Sequence, residues 1–143
     1  MVSKTRMIDR VRAFDTDAVG AGLDESPNLL AWRDEWGRHW LHLCCAQPVE
    51  NDAGRAEASI RTADALIARG FGVDDAAFTE GAWRATPLWF SVARGRNLRL
   101  AAHLLDRGAT PAYSMHAAAF NDDLDAHAAP GRPRPSRRRI RRG

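Results

Sequence analysis

Cysteine is almost absent from this chain. There are two in 143 residues, and these two, Cys44 and Cys45, are neighbours. A disulfide framework is thereby excluded, because adjacent Cα atoms stand only ~3.8 Å apart, closer than an ordinary disulfide tolerates. Two buried thiols in a reducing compartment are the reading that follows. Long apolar runs are missing as well. No stretch approaches the ~20 residues that cross a bilayer. The opening, Met1 to Arg12, is polar, with no apolar segment of signal-peptide length. A cytoplasmic protein with no membrane contact is expected. Acidic residues are missing after Asp125, where seven arginines fall between Arg132 and Arg142. Of 21 basic residues, the 14 outside that tail face 18 acidic ones, so the formal charge of +3 hides a body of −4. A folded nucleic-acid binder spreads lysine and arginine over its surface, and this chain does not.

Recognisable chemistry is also lacking. No Ser/His/Asp or Cys/His order forms a nucleophile motif. Gly20-Ala21-Gly22 and Gly70-Phe71-Gly72 follow no strand and lack the G-x-x-x-x-G-K-[ST] pattern of a phosphate loop. His39, His42, Cys44 and Cys45 look at first like metal ligands. Zinc sites, however, space their pairs as C-x2–4-C and H-x3–5-H, and two adjacent cysteines on a helix point about 100° apart. Burial would raise rather than lower the thiol pKa. No enzyme, metal site or cofactor is implied.

What is present is helix. Alanine is abundant, β-branched residues are scarce, and nothing alternates with period two for long. At ~100–200 residues per domain, one domain is expected. Short helical stretches are read at Met7 to Ala13, Ala18 to Leu23, within Gly37 to Cys45, at Ala58 to Arg69, Thr86 to Ala93 and Leu98 to Arg107, with another starting at Met115 to Phe120. Gln47 to Gly54 and Asp74 to Gly81 read as loops. Helices this short are unstable alone and need stacking partners. Internal similarity supplies the arrangement: Ala65-Leu66-Ile67-Ala68-Arg69-Gly70 lines up with His103-Leu104-Leu105-Asp106-Arg107-Gly108. Units in series that cannot bury their own faces imply a solenoid.

Thr86-Pro87-Leu88-Trp89, then Gly95, then Leu104-Leu105-Asp106-Arg107-Gly108-Ala109, resembles the ankyrin repeat. That unit of about 33 residues opens with T-P-L-H-x-A and has a helix pair ending in L-L-x-x-G-A. Trp89 stands in the histidine slot, and Ser91 and Val92 stand where two alanines are usual. One extra residue separates Gly95 from Gly108. His42 and His116 occupy the corresponding histidine slots of two neighbouring units. The resemblance implies an all-α helix-turn-helix solenoid with β-turn finger loops over residues 1–125. Its parts are a degenerate pair at 7–27, repeats at 28–74 and 75–110, and a partial repeat at 111–125. Thr86 would cap a helix, Pro87 would suit its first position, Leu88 would point into the stack, and Gly70 and Gly108 would take positive φ at helix ends.

Ankyrin stacks bind protein partners through finger tips and a concave helix face, so the resemblance implies a non-enzymatic interaction module. Trp36 with Arg38, and Trp83 with Arg84, fall in finger loops. Phe90, Arg94 and Phe120 fall at variable first-helix positions that face the groove. Trp and Arg are the residues most enriched at binding hot spots. Trp32, Trp40 and Trp89 read as core or inter-repeat filler. A stack of about three repeats without a polar cap is expected to be marginal as a monomer, or to self-associate through its uncapped C-terminal end. The tail at 126–143 is expected to be disordered. It stays open to three readings: an arm that binds nucleic acid or an acidic surface, a merely solvated tail, or the frameshifted end of a longer repeat protein. In the third case, removing one base before Ala126 gives a frame that in GC-rich DNA can read Arg-Thr-Leu-Leu-Leu-Asp, a leucine-rich second helix.

Overall fold

Each helix starts where a side chain can replace the missing intrahelical partners. A computed structural model describes residues 2–81 and 83–113. Among them lie six α-helices: α1 Lys4–Arg12, α2 Thr16–Glu25, α3 Trp40–Ala46, α4 Ala53–Ala68, α5 Pro87–Ala93 and α6 Leu98–Asp106. One antiparallel hairpin, β1 Thr79–Glu80 with β2 Trp83–Arg84, and two short 3-10 turns, Pro27–Ala31 and Pro111–Tyr113, complete the order. Helix dominates, as the composition implies.

The six helices form three pairs, and the turn inside each pair is built the same way. A non-glycine residue takes positive φ: Phe14 at 55°, Glu50 at 51° and Arg96 at 46°. One or two residues later an Asp or Asn caps the second helix. Asp15, Asp52 and Asn97 accept from the backbone N–H groups of Ala18, Arg55 and Leu100 at 3.2, 3.0 and 3.1 Å. Such a cap satisfies one of the orphan donors of the first turn. The second helices of the last two pairs end on Gly70 at φ 103° and Gly108 at φ 102°, where a β-carbon is disfavoured.

The pairs stack in series. α1, α3 and α5 pack side by side in one row, and α2, α4 and α6 in the other. The core lies between the rows. It holds Met7 and Val11 of α1, Trp40, Leu41, Cys44 and Cys45 of α3, Leu88 of α5, Ala63 and Leu66 of α4, and Leu100 and Leu104 of α6. The second row is laced by polar contacts. Thr16 and Thr62 hydroxyls meet at 2.8 Å, Arg69 reaches Asp24 at 3.1 Å, Arg99 reaches Glu57 at 3.1 Å, and His103 reaches Asp64 at 2.7 Å. Inside, the Asn97 amide donates to the buried Ser59 hydroxyl at 2.9 Å, tying α6 to α4.

Several boundaries differ from the sequence reading, among them α2, which spans Thr16–Glu25 rather than Ala18 to Leu23. α1 begins at Lys4, capped by Ser3, rather than at Met7. α4 begins at Ala53, because Asp52 caps it and Gly54 is absorbed into the first turn, where the 47–54 segment reads as loop. The 74–81 loop contains a strand, closed onto its partner by Ala77 N–H to Ala85 O at 2.8 Å. No helix among the described residues is long and apolar enough to cross a membrane. His116, Phe120, the rest of the partial repeat after Tyr113, and the arginine tail lie outside the described residues.

Candidate functional site

Two loops stand in front of the first-row helices and face each other. The first precedes α3 and is organised by one carboxylate. Asp34 Oδ1 accepts from the backbone of Trp36 at 2.9 Å and of Arg38 at 2.8 Å, while Oδ2 accepts from Arg38 Nε at 2.7 Å. The backbone closes with Asp34 N–H to Arg38 O and Gly37 N–H to Asp34 O, both at 3.0 Å. Trp36, at the tip, is left 60% exposed. The second loop is the β1–β2 hairpin, which precedes α5 and leaves Phe78 41% exposed.

The two loops touch at Gly37, whose φ is 81° and whose missing β-carbon leaves room for the Ala77 carbonyl. A Gly37→Ala variant combines an unfavourable φ with a backbone collision. It is expected to lose about 2–3 kcal/mol of stability in urea unfolding. Gly70→Ala meets no atom within 4 Å, so it is expected to lose only about 1 kcal/mol, the backbone part. Equal losses at the two positions would show that the loops do not brace each other.

A buried histidine pair joins the second loop to α3. His39 N–H donates to His42 Nδ1 at 3.0 Å, and His39 Nδ1 accepts from Leu41 N–H at 3.2 Å. Both Nδ1 atoms are acceptors, so both protons sit on Nε2. His42 Nε2 donates to the Asp75 carbonyl at 2.7 Å, and His39 Nε2 donates to the Asp75 carboxylate at 3.0 Å. That carboxylate also accepts from Gly72 N–H at 2.8 Å. Burial, with the neighbouring His39, pushes His42 down to about 3. Burial also lowers His39, against the opposing pull of Asp75. Asp75 is partly desolvated, but the Gly72 N–H and the His39 ring hold it below the usual carboxylate value. The histidines that resemble metal ligands in sequence are thus hydrogen-bonded braces. Cys44 and Cys45 are fully buried, and burial pushes the Cys44 thiol up to about 12. Among the described residues, no group of three or more His, Cys, Asp or Glu is placed to hold a metal ion.

Between the loops and α5 lies a groove of about 380 Å³ lined by Trp36, Arg38, Phe78, Trp89, Phe90 and Arg94. Four of these are sequence-predicted partner residues, drawn from two separate segments. Its wall is an aromatic array. Trp89 meets Phe90 at 4.9 Å, Trp83 at 5.1 Å and Phe78 at 6.5 Å between ring centroids, all edge-on. The Arg94 guanidinium stands 5.5 Å from the Trp89 ring centre. The indole N–H of Trp89 is buried and has no acceptor among the described residues.

Three predicted residues sit differently from expectation. Trp83 is not a free finger tip. It is half-buried, because Phe78 and Trp89 clasp it. Phe90 lines the groove but is only 3% exposed, since the His42 ring packs against it at 5.4 Å. Arg84 points away from the groove residues, its guanidinium 4.5 Å over the Tyr113 ring. Thr86 Oγ accepts from Trp89 N–H at 3.4 Å, Pro87 opens α5, and Leu88 is buried. Sequence reasoning missed Phe78, which reads as one apolar residue in a polar loop, and assigned Trp89 to filler alone. No protein-family model matches the chain, and no curated protein or solved structure matches it.

Proposed function

We propose that the chain is an ankyrin-type repeat stack whose role is to bind a protein partner, without catalysis. The observation that carries this reading is the convergence of Trp36, Arg38, Phe90 and Arg94 with Phe78 and Trp89 on one open groove. Support comes from the serial helix pairs, the loops in front of α3 and α5, and the T-P-L motif capping α5. The loops are held by Asp34, by the Gly37 contact and by the histidine pair. A surface ordered in advance loses little conformational entropy on binding, so its aromatic contacts convert into affinity. Large exposed aromatics on a rigid wall, flanked by arginine, are the composition of binding hot spots.

The test is a selection of random displayed peptides against the full chain, followed by affinity measurement of the selected binders. Trp36 is mostly exposed, so Trp36→Ala is expected to leave folding intact. It is expected to weaken groove binders by roughly 2 kcal/mol, on the order of thirtyfold. Binders that keep wild-type affinity for both Trp36→Ala and Phe78→Ala would count against the groove.

A further inference from the structure

We infer that the groove takes a peptide segment presenting an apolar side chain beside a carboxylate. This rests on the interaction reading above and narrows it to one ligand chemistry. The apolar half follows from Trp36 and Phe78, which leave 60% and 41% of their surface in water beside a wall of further rings. Apolar area exposed on two facing loops is covered by an apolar side chain, not by a polar one.

The acidic half follows from the polar atoms. The side-chain polar groups carried by the residues that line the groove are the indole N–H of Trp36 and Trp89 and the guanidinium groups of Arg38 and Arg94. All of them are donors, and none can accept. A ligand rich in donors finds no counterpart here, and a lysine side chain also meets like charge. Arg38 is already matched by Asp34 at 2.7 Å. Arg94 is exposed at the C-cap of α5, and no acid among the described residues pairs with it. Its planar fork suits a carboxylate. Among the described residues the Trp89 N–H is a buried donor without a partner, which destabilises the empty state, and a carboxylate or carbonyl oxygen that reaches it relieves that penalty.

A nucleic acid also offers acceptors and flat rings. It is the weaker fit, because one unmatched arginine neutralises few phosphates and the chain before its arginine tail carries a net −4.

The experiment uses the full chain and displayed random dodecapeptides, with Trp36→Ala as the subtraction target. Selected peptides are synthesised in native form and with Asp and Glu replaced by Asn and Gln. They are then titrated by fluorescence polarisation against wild type, Arg94→Glu and Trp89→Phe. Enrichment of Asp or Glu next to Leu, Met or Phe is expected. Amidated analogues should bind about fivefold more weakly, and Arg94→Glu should weaken acidic binders by at least that factor. Trp89→Phe should lose about fivefold, the size of one hydrogen bond. The Trp89 indole resonance, identified by its absence in Trp89→Phe, should move downfield on saturation. Peptides that depend on Trp36 but show no acidic enrichment and ignore Arg94→Glu would overturn this ligand chemistry and leave the groove reading standing. Binders indifferent to Trp36→Ala, or no binders at all, would overturn both. A fluorescent oligothymidine that binds and is lost in Trp36→Ala would replace the peptide with a nucleic acid.

Discussion

Replacing Trp40 by alanine is expected to remove about 4 kcal/mol of stability, near the upper end for a buried aromatic. Trp40 is fully buried at the start of α3. Its ring stacks on Trp32 with centroids 4.2 Å apart and planes 19° from parallel. Its Nε1–H donates to the Leu29 carbonyl at 2.9 Å, so it ties the 3-10 turn after the first helix pair to the first helix of the second. Truncation leaves a cavity at a junction of three segments and an unpaired carbonyl beside it. A small domain is stabilised by about 5–15 kcal/mol in total, so this single change brings the chain close to unfolding at room temperature. Trp40→Phe keeps an aromatic ring against Trp32 but removes the donor and part of the ring volume, and it is expected to lose about 2 kcal/mol. Urea unfolding followed by far-ultraviolet circular dichroism measures both. An alanine variant within 1 kcal/mol of wild type would show that the junction repacks freely.

The second large effect is acid sensitivity. In an unfolded chain His42 takes up a proton near its ordinary value of 6.5, whereas in the fold it does so only at about 3. The unfolded state therefore binds more protons between those values, and stability falls as the pH is lowered. The contribution of His42 is complete above about pH 6.5 and is lost progressively down to about pH 3. From pH 7 to pH 5 the loss from His42 alone is about 2 kcal/mol. His39 is lowered too and adds in the same direction. Asp75, held below its ordinary value, adds a further loss at still lower pH, as its carboxylate is protonated. The structural consequence is specific: protonating either Nδ1 sets a donor against a backbone N–H donor and releases the second loop from α3. Urea unfolding at pH 7 and pH 5 should show the difference, and His42→Gln should reduce it by more than half. A stability that is flat between these pH values would contradict the neutral, buried assignment.

How much of this was legible in the sequence depends on the range of each interaction. The cap of α5, the glycines that end α4 and α6, and the apolar faces of the helices are set by residues within one turn of each other. A linear reading finds them. The start of α4 escapes it, because Asp52-Ala53-Gly54 has a loop's composition while the helix is secured by its cap and by packing on α2 and α6. The regular turn at Phe14, Glu50 and Arg96 is invisible for a different reason: three unrelated side chains share one backbone conformation.

The proposed binding surface divides along the same line. Residue type and position within the repeat-like units single out Trp36, Arg38, Phe90 and Arg94 one at a time. Their meeting with Phe78 and Trp89 requires that one loop rest on the other, through contacts between residues some forty positions apart such as Gly37 and Ala77. His39 and His42 read as ligand candidates until Asp75, which the sequence places 36 residues after His39, arrives beside both rings. By itself the sequence determined the helical composition, the places where helices stop, the acidic body and the apolar identity of the paired cysteines, all of which follow from local propensity, capping and charge. Only the tertiary structure decided which polar groups find partners and which are left facing a groove. A hydrogen bond or an aromatic contact forms at a few ångströms in space, whatever the distance along the chain.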